Sequence, residues 1–254
     1  MILFFRKFFF IFFVFKIKTN KNLSFKNLNF RKNDFTNYDQ IKSFIFKKNF
    51  IKTKNKNIHS FDFLNFSNKL GGKIGINLSK EVIFNWYKIN KNKINFPWSE
   101  DLTSKRLINL LYNYEYINSS SKLRDKKKLN SIILTHMQRV QFDFNTKKNN
   151  ELTSFDIVSF LLSSLILKRL NKNKILYTKY TVENQIDKLG MHKSYNLLDH
   201  SKFINNLNEA KNILLYFKIK ESDVFDSLIF KMTSILNEYF HCDKSLPLFN
   251  GSNN

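Results

Sequence analysis

The sequence predicts a mostly α-helical protein, a helical bundle with a helix-hairpin-helix-like core, a basic N-terminal arm and a C-terminal helical extension. Three observations favour this class. Apolar residues recur at helical spacing in several segments after residue 60. The sequence shows neither a series of alternating strands nor an internal repeat. Positive charge is concentrated in the front of the chain, so this part is predicted to face a polyanion.

The charge is unevenly distributed along the chain. There are 43 Lys and Arg against 20 Asp and Glu, a formal net charge of +23. Residues 1–60 account for +12 of this excess, residues 61–150 for +9 and residues 151–254 for only +2. Because Lys and Arg drive nucleic-acid binding by neutralising phosphates, the polyanion is assigned to residues 1–150. We therefore predict three regions: a basic Lys/Asn/Phe-rich arm (1–59), an RNA-binding helical core (60–150) and a helical extension for protein contacts (151–254).

The composition is typical of a very AT-rich genome. The chain has 29 Phe and 10 Tyr but only 5 Gly and 2 Pro, whereas average proteins carry about 7% Gly and 5% Pro. This bias indicates a mitochondrial genome of the protist type, with an AT-rich nuclear genome as the alternative. Organelle genomes retain mainly hydrophobic respiratory subunits and basic ribosomal proteins, and this chain is too polar for the first class.

No residue pattern indicates catalysis. The five His are scattered, and the glycine-rich residues 71–75 lack the Lys-Ser/Thr ending of a P-loop. The single cysteine, Cys242, excludes an internal disulfide and a cysteine-rich zinc site. We therefore predict a protein that is not an enzyme and that uses no cofactor or metal.

Residues 2–17 form an apolar segment with charges near its start. The uninterrupted apolar run, Phe8 to Phe15, is eight residues long, whereas a membrane-spanning helix needs about 20. No small-residue cleavage site of a signal peptide follows. A buried or protein-docked segment is the favoured interpretation, with membrane contact and targeting as alternatives. The Lys/Asn-rich residues 18–60 are predicted either to order on RNA or to form a solvated arm.

Periodicity and capping residues place three helices in the core. Asn77 or Ser79 is predicted to cap the first of them. Leu110 and Ile133 lie on the apolar stripes of the second and third, and we expect both to be buried between these two central helices. The three core helices are predicted at residues 77–89, 103–118 and 122–137. Those of the extension are predicted at residues 153–170, 202–219 and 223–240.

Three of the five glycines fall within residues 71–75. In a sequence that otherwise avoids glycine, this clustering indicates that the backbone geometry requires it. We predict a tight turn between two helices, with a glycine at positive φ and backbone amides close to a phosphate. Gly75 would stand immediately before the second helix, and Lys73 and Lys80 would add charge. Gly190 is predicted to lie in a loop of the near-neutral region, where substitution should matter far less.

A second group of cations crowds the first turns of the third core helix. Cations near a helix N-terminus oppose the helix dipole, and they cost stability unless phosphate is nearby. A solvated face is the alternative interpretation. The complete set of predicted RNA-binding residues is Lys69, Gly71, Gly72, Lys73, Gly75, Asn77, Ser79, Lys80, Arg124, Lys126, Lys127, Lys128 and Arg139.

The order and spacing of these motifs resemble the bacterial-type small-subunit ribosomal protein S-thirteen family. The resemblance covers residues 60–138, about a third of the chain. The family continues with a Tyr-Arg-Gly-x-Arg-His motif and a Gly/Arg-rich tail that reaches toward the tRNAs, whereas this chain continues from Met137 without such a tail. The matching motifs are Ile74-Gly75, Ser79-Lys80-Glu81-Val82-Ile83, Asp101-Leu102-Thr103 and Leu123-Arg124.

The resemblance implies a divergent, mitochondrially encoded protein of the small-subunit head, located in the matrix as part of the mitochondrial ribosome. It implies rRNA and an S-nineteen-type neighbour as partners, and a structural role without turnover. Residues 151–254 would then pack on neighbouring mitochondrial ribosomal proteins, and membrane contact is not expected. The alternative from another class is an accessory subunit of a mitochondrial respiratory membrane complex, anchored by residues 2–17.

Overall fold

The computed structural model describes residues 56–70, 72–92 and 96–239. As predicted, the chain is mostly helical. The described residues form ten α-helices and no strand, and one isolated bridge pairs Ile186 with His192. The chain divides into two compact units, one ending at Thr146 (unit 1) and one beginning at Lys147 (unit 2).

Some sequence predictions concern residues outside the described ranges. The apolar segment 2–17, most of the basic arm and Cys242 belong to this group, so their interpretations stay predictions. Within the described ranges, none of the helices combines the length and the apolar character that crossing a lipid bilayer requires.

Unit 1 contains three longer helices and the short elements between them. Leu110 and Ile133 are both 0% exposed, which confirms the predicted helical register of the two central helices. Those two helices, α4 (Glu100–Tyr112) and α6 (Leu123–Thr146), pack extensively on each other. The elements are α1 (Lys56–His59), α2 (Phe63–Leu70), α3 (Gly72–Asn90), a 3₁₀ turn (Phe96–Trp98), α4 (Glu100–Tyr112), α5 (Tyr114–Asn118) and α6 (Leu123–Thr146).

Two predicted boundaries in unit 1 are wrong. Helix α3 begins at Gly72 rather than after a cap at Asn77 or Ser79, because Gly75 is buried and extends the packed face of the helix by a turn. Helix α6 continues beyond Met137 to Thr146, and its added turns carry further buried apolar side chains.

The predicted single helix at residues 103–118 is interrupted at Asn113, where φ is −100° and ψ is 11°. The side-chain amide of Asn113 reaches across to α2. Its Nδ2 donates to Oδ1 of Asn65 at 2.9 Å, and its Oδ1 accepts from Nδ2 of Asn68 at 3.1 Å. One turn earlier, Nδ2 of Asn109 donates to the carbonyl oxygen of Ser60 at 2.9 Å. Asparagine side chains therefore join α2 to α4.

The described part of unit 2 contains four α-helices, and the most apolar of them is the first, at Ser154–Ile166. Its helices are α7 (Ser154–Ile166), α8 (Lys172–Glu183), α9 (Leu197–Tyr216) and α10 (Asp226–Glu238), and a 3₁₀ turn (Asn149–Glu151) precedes them. Helix α9 packs on both α7 and α10. The helices α7, α9 and α10 overlap the three predicted in this region. Helix α8 was not predicted, because its apolar side chains lie on two faces and give no single stripe.

Candidate nucleic-acid interface

The glycine turn joins α2 to α3 and is tighter than predicted. Helix α2 ends at Leu70 and α3 begins at Gly72. Gly72 is exposed and has a φ of +64°, a conformation that favours glycine. Gly71 and the side chain of Lys69 lie outside the described residues. The predicted positive-φ glycine is therefore present, at the first residue of α3.

Gly75 does not have the predicted role. It lies inside α3, buried against protein, and so presents no surface to a phosphate. A Cβ at this position would collide with Oη of Tyr116 and would lie 2.8 Å from the carbonyl oxygen of Ser67. The Tyr116 hydroxyl donates to that same carbonyl oxygen at 2.5 Å. Gly75 is therefore required for the close packing of α2, α3 and α5, and the phosphate-clamp hypothesis is wrong at this residue.

Two more predicted RNA-binding residues are buried. Ser79 is fully buried within α3, and its hydroxyl donates to the carbonyl oxygen of Gly75 at 2.8 Å. Arg139 is buried on α6, where its Nε lies 2.8 Å from Oδ2 of Asp143 one turn later. Both side chains contribute to packing and hydrogen bonding inside the protein, so neither is available to RNA.

Gly190 also tolerates substitution less well than predicted. Its φ is +108°, and an added Cβ would lie 2.8 Å from Cγ of Lys231. The loop closes around Asp187, whose Oδ1 accepts the backbone N–H of Leu189, Gly190 and Met191. Burial acts to raise the pKa of Asp187, but these three hydrogen bonds and the charge of Lys231 together lower it below its ordinary value. Gly190 therefore cannot serve as a neutral control for Gly75.

The remaining predicted residues lie at the surface. On α3, Lys73 and Lys80 are seven residues, or about two turns, apart and therefore lie on one face of the helix. The α6 residues surround the N-terminus of that helix. We call these residues the α3–α6 basic surface, and its members are Lys73, Asn77, Lys80, Arg124, Lys126, Lys127 and Lys128.

Contacts between α3 and α6 bring the two groups of cations together. The Lys128 ammonium lies 4.2 Å from the centre of the Phe84 ring. Three residues further along α3, the hydroxyl of Tyr87 lies 3.1 Å from Oγ1 of Thr135. Higher residue numbers on one helix meet higher numbers on the other, so α3 and α6 run in the same direction. Their N-termini therefore point toward the same side of unit 1.

Lys80 of α3 lies within electrostatic range of the first turn of α6. Burial lowers the pKa of Lys80, and the charge of Lys126 on α6 lowers it further while that of Asp125 opposes the shift. Two positive helix ends and several cations thus lie on one side of unit 1. Like charges in this arrangement repel one another, and cations at a helix N-terminus oppose the dipole. A polyanion on this side would relieve both effects.

A buried arginine holds α3 and α6 in this arrangement, and it was missed by sequence reasoning. Arg106 of α4 is 0% exposed. Its Nε donates to Nε2 of His136 on α6 at 2.7 Å, and its guanidinium carbon lies 4.0 Å from the centre of the Trp86 ring on α3. Trp98 provides a second ring at 5.0 Å. We call these residues, with His59, the arginine cage.

The arginine cage is completed by neutral acceptors. Nη1 of Arg106 donates to the carbonyl oxygen of His59, and Nε1 of Trp86 donates to Nδ1 of the same histidine at 2.9 Å. No carboxylate among the described side chains forms an ion pair with Arg106. Burial lowers the pKa of Arg106 well below its ordinary value, partly opposed by the charge of Asp101. Burial and the charge of Arg106 likewise hold the pKa of His136 well below its ordinary value.

The sequence does indicate that aromatic residues lie beside the cations of α3, although this was not predicted. Phe84 and Tyr87 follow Lys80 by four and seven residues, which places them on the same face of α3. That spacing predicts an aromatic line beside the basic residues. Arg106 offers no comparable signal, because a charged residue in a helix is ordinarily assigned to the surface.

No protein-family model, curated protein or solved structure matches this chain.

Proposed function

We propose that this chain is a structural component of the small subunit of the mitochondrial ribosome, in its head region, and that it binds rRNA through the α3–α6 basic surface. One observation carries the proposal. Two parallel helices direct their positive N-termini, and the cations of that surface, to one side of unit 1. The proposed partner supplies negative charge beyond that of Asp125, the acidic residue in the first turn of α6.

The resemblance to the S-thirteen family supports the ribosomal part of the proposal. Helix α6 begins at Leu123, so the Leu-Arg pair stands at a helix start as it does in the family. Leu102 and Thr103 similarly lie in the first turn of α4. The family also implies an S-nineteen-type neighbour and a location in the mitochondrial matrix. The turn at Gly72, rather than Gly75, is then the glycine position open to RNA.

The test replaces three cations of the α3–α6 basic surface in the full-length protein, Arg124→Glu, Lys126→Glu and Lys127→Glu. Acidic residues at a helix N-terminus stabilise the helix, so the substitutions favour folding of α6. Binding to small-subunit rRNA is measured across a salt titration. Each lost phosphate contact reduces the slope of log affinity against log salt by about 0.7–0.9, so we expect a reduction of about 2–3. The variant should also leave the small-subunit fraction of a sucrose gradient.

The matched control carries the same charge change on unit 2, at the exposed residues Lys188, Lys202 and Lys220, each replaced by Glu. This control should keep most of the wild-type slope. Equal losses in both variants would mean that only total charge matters. An unchanged slope in the α6 variant would remove the α3–α6 basic surface from the proposal.

A further inference from the structure

The near-neutral charge of the extension conceals a local basic segment. Residues 168–180 contain five Lys and Arg and no Asp or Glu. The rest of residues 151–254 contains 8 Lys and Arg against 11 Asp and Glu, and is therefore net acidic. The cations of the segment are Lys168, Arg169, Lys172, Lys174 and Lys179.

The structure places four of these cations around the start of α8, whereas Lys179 lies two turns later, with its Nζ 3.8 Å from Oε1 of Glu183. Helix α7 ends in a turn in which Lys168 has a φ of +54° and the backbone N–H of Arg169 donates to the carbonyl oxygen of Ser164 at 2.7 Å. Asn171 then caps α8, its Oδ1 accepting the backbone N–H of Lys174 at 3.0 Å. The exposed Lys168 and Arg169 therefore stand directly before the positive end of α8. Burial and the charge of Arg169 lower the pKa of Lys174.

One face of α8 exposes apolar side chains beside these cations. Tyr180 follows Leu176 by four residues and Tyr177 by three, and Leu176, Tyr177 and Tyr180 are 45%, 41% and 54% exposed. The Tyr177 hydroxyl donates to Oδ1 of Asn149 at 3.2 Å, which fixes the position of that ring. The opposite face, which includes Thr178 and Val182, is buried. Helix α8 is thus anchored by one face and presents two aromatic rings on the other.

The α3–α6 basic surface lacks this combination. Its neighbouring exposed apolar side chains, Ile74 and Leu123, are aliphatic, and Phe84 is half-buried beneath Lys128. A surface of cations without exposed rings suits the phosphate backbone of folded RNA. Cations beside exposed rings suit unpaired RNA, because every base offers a face for stacking while the phosphates meet the cations.

We propose that the α8 surface, consisting of Lys168, Arg169, Lys172, Leu176, Tyr177 and Tyr180, binds an unpaired RNA segment by stacking bases on the two tyrosines. This goes beyond the proposed function, because the charge balance of the extension assigns it to protein contacts alone. The commitment to RNA rather than to an apolar protein surface rests on charge, since this is the net basic part of an otherwise acidic region.

The experiment measures binding of the full-length protein to a short, unstructured oligouridine and to an RNA duplex of equal length, by fluorescence anisotropy. The test variant is Tyr177→Ala with Tyr180→Ala, and the matched control is Tyr177→Phe with Tyr180→Phe, which keeps both rings. Alanine favours helix, so α8 should persist in the test variant. Loss of two stacking partners should weaken oligouridine binding by about tenfold or more. Duplex binding should change by less than about twofold, and the phenylalanine control should resemble wild type.

Three outcomes would overturn the proposal. Unchanged oligouridine binding in the alanine variant would exclude stacking. An equal loss in the phenylalanine control would assign the effect to the hydroxyl groups. Unchanged RNA binding combined with loss of ribosome association would show that the face contacts protein. Loss of duplex binding in the Arg124, Lys126 and Lys127 variant, with normal tyrosine dependence, would support the α3–α6 basic surface independently of this result.

Discussion

Arg106 in unit 1 and Lys147 in unit 2 are both buried cations, and they are stabilised in different ways. In unit 2, Nζ of Lys147 lies 2.8 Å from Oδ2 of Asp156, and both side chains are almost fully buried. In unit 1, the arginine cage surrounds Arg106 with aromatic rings and neutral acceptors. A compact ammonium needs a carboxylate when it loses water, whereas a planar guanidinium can stack on rings and distribute its donors. A guanidinium can thus be buried without a carboxylate, as at Arg106, or with one, as at Arg139 beside Asp143, whereas the ammonium of Lys147 is paired with Asp156.

The largest expected effect is on the lysine pair. Lys147→Met would leave the Asp156 carboxylate buried without its cation, and we expect a loss of about 3–5 kcal/mol in the stability of unit 2. Asp156 would still accept the backbone N–H of Thr153 at 2.8 Å, so α7 should keep its cap. Hydrogen exchange of the α7 amides would measure the loss. The double variant Lys147→Met with Asp156→Asn should recover part of it, and an absence of recovery would contradict the charge argument.

The next effect concerns the shape of the cation in unit 1. Arg106→Lys keeps the charge but removes the planar group that contacts both Trp86 and His136, and we expect a cost of about 2–3 kcal/mol. Arg106→Met, which removes the charge as well, should cost a similar amount. Both tryptophans lie in unit 1, so tryptophan fluorescence during urea unfolding follows this unit. Wild-type stability in Arg106→Lys would show that charge alone matters, and would end the distinction between the two cores.

The smallest effect is a pH dependence of unit 1. The pKa of His136 is lowered in the folded protein, so the unfolded chain takes up a proton first as the pH falls. The stabilisation is therefore complete above the ordinary pKa of 6.5 and is lost below it. Between pH 7 and pH 5.5 we expect unit 1 to lose about 1 kcal/mol.

His136→Gln provides the control for this dependence, because its side-chain oxygen can accept from Arg106 without titrating. The fluorescence-detected stability of this variant should change less over the same pH range. Burial also lowers the pKa of His192 and of His200 in unit 2, and their contribution is the same in both proteins. An identical pH profile for the variant and the wild type would assign the dependence to another group.

Apolar periodicity was the most reliable guide to the fold. Leu110 and Ile133 are buried as their helical spacing predicts, and helices α7, α9 and α10 overlap their predicted ranges. Helix α8 was missed because Tyr177 and Tyr180 are exposed on the side opposite its buried face. A helix with apolar residues on both faces has no stripe, so spacing alone does not reveal it.

The candidate site was only partly predictable. Lys73, Lys80 and the cations of α6 are at the surface, as their spacing and charge suggest. The glycine at position 75 indicates that there is no room for a side chain. The sequence does not show whether the neighbour that fills this space is a phosphate or, as in the structure, the Tyr116 hydroxyl. From the sequence, Arg139 was predicted to bind RNA like the other cations. In the structure it is paired with Asp143, one turn later on the buried side of α6.

Local spacing and summed charge are enough to predict the helical class, the register of the central helices and the basic character of unit 1. The parallel direction of α3 and α6, the contact between Gly75 and Tyr116 and the burial of Arg106 in the arginine cage are visible in the folded protein and not in the pattern of residues. Those features depend on residues that are distant in sequence, such as Trp86 and His136, meeting at one place. Chain order records neither their separation in space nor the loss of water that gives each contact its strength.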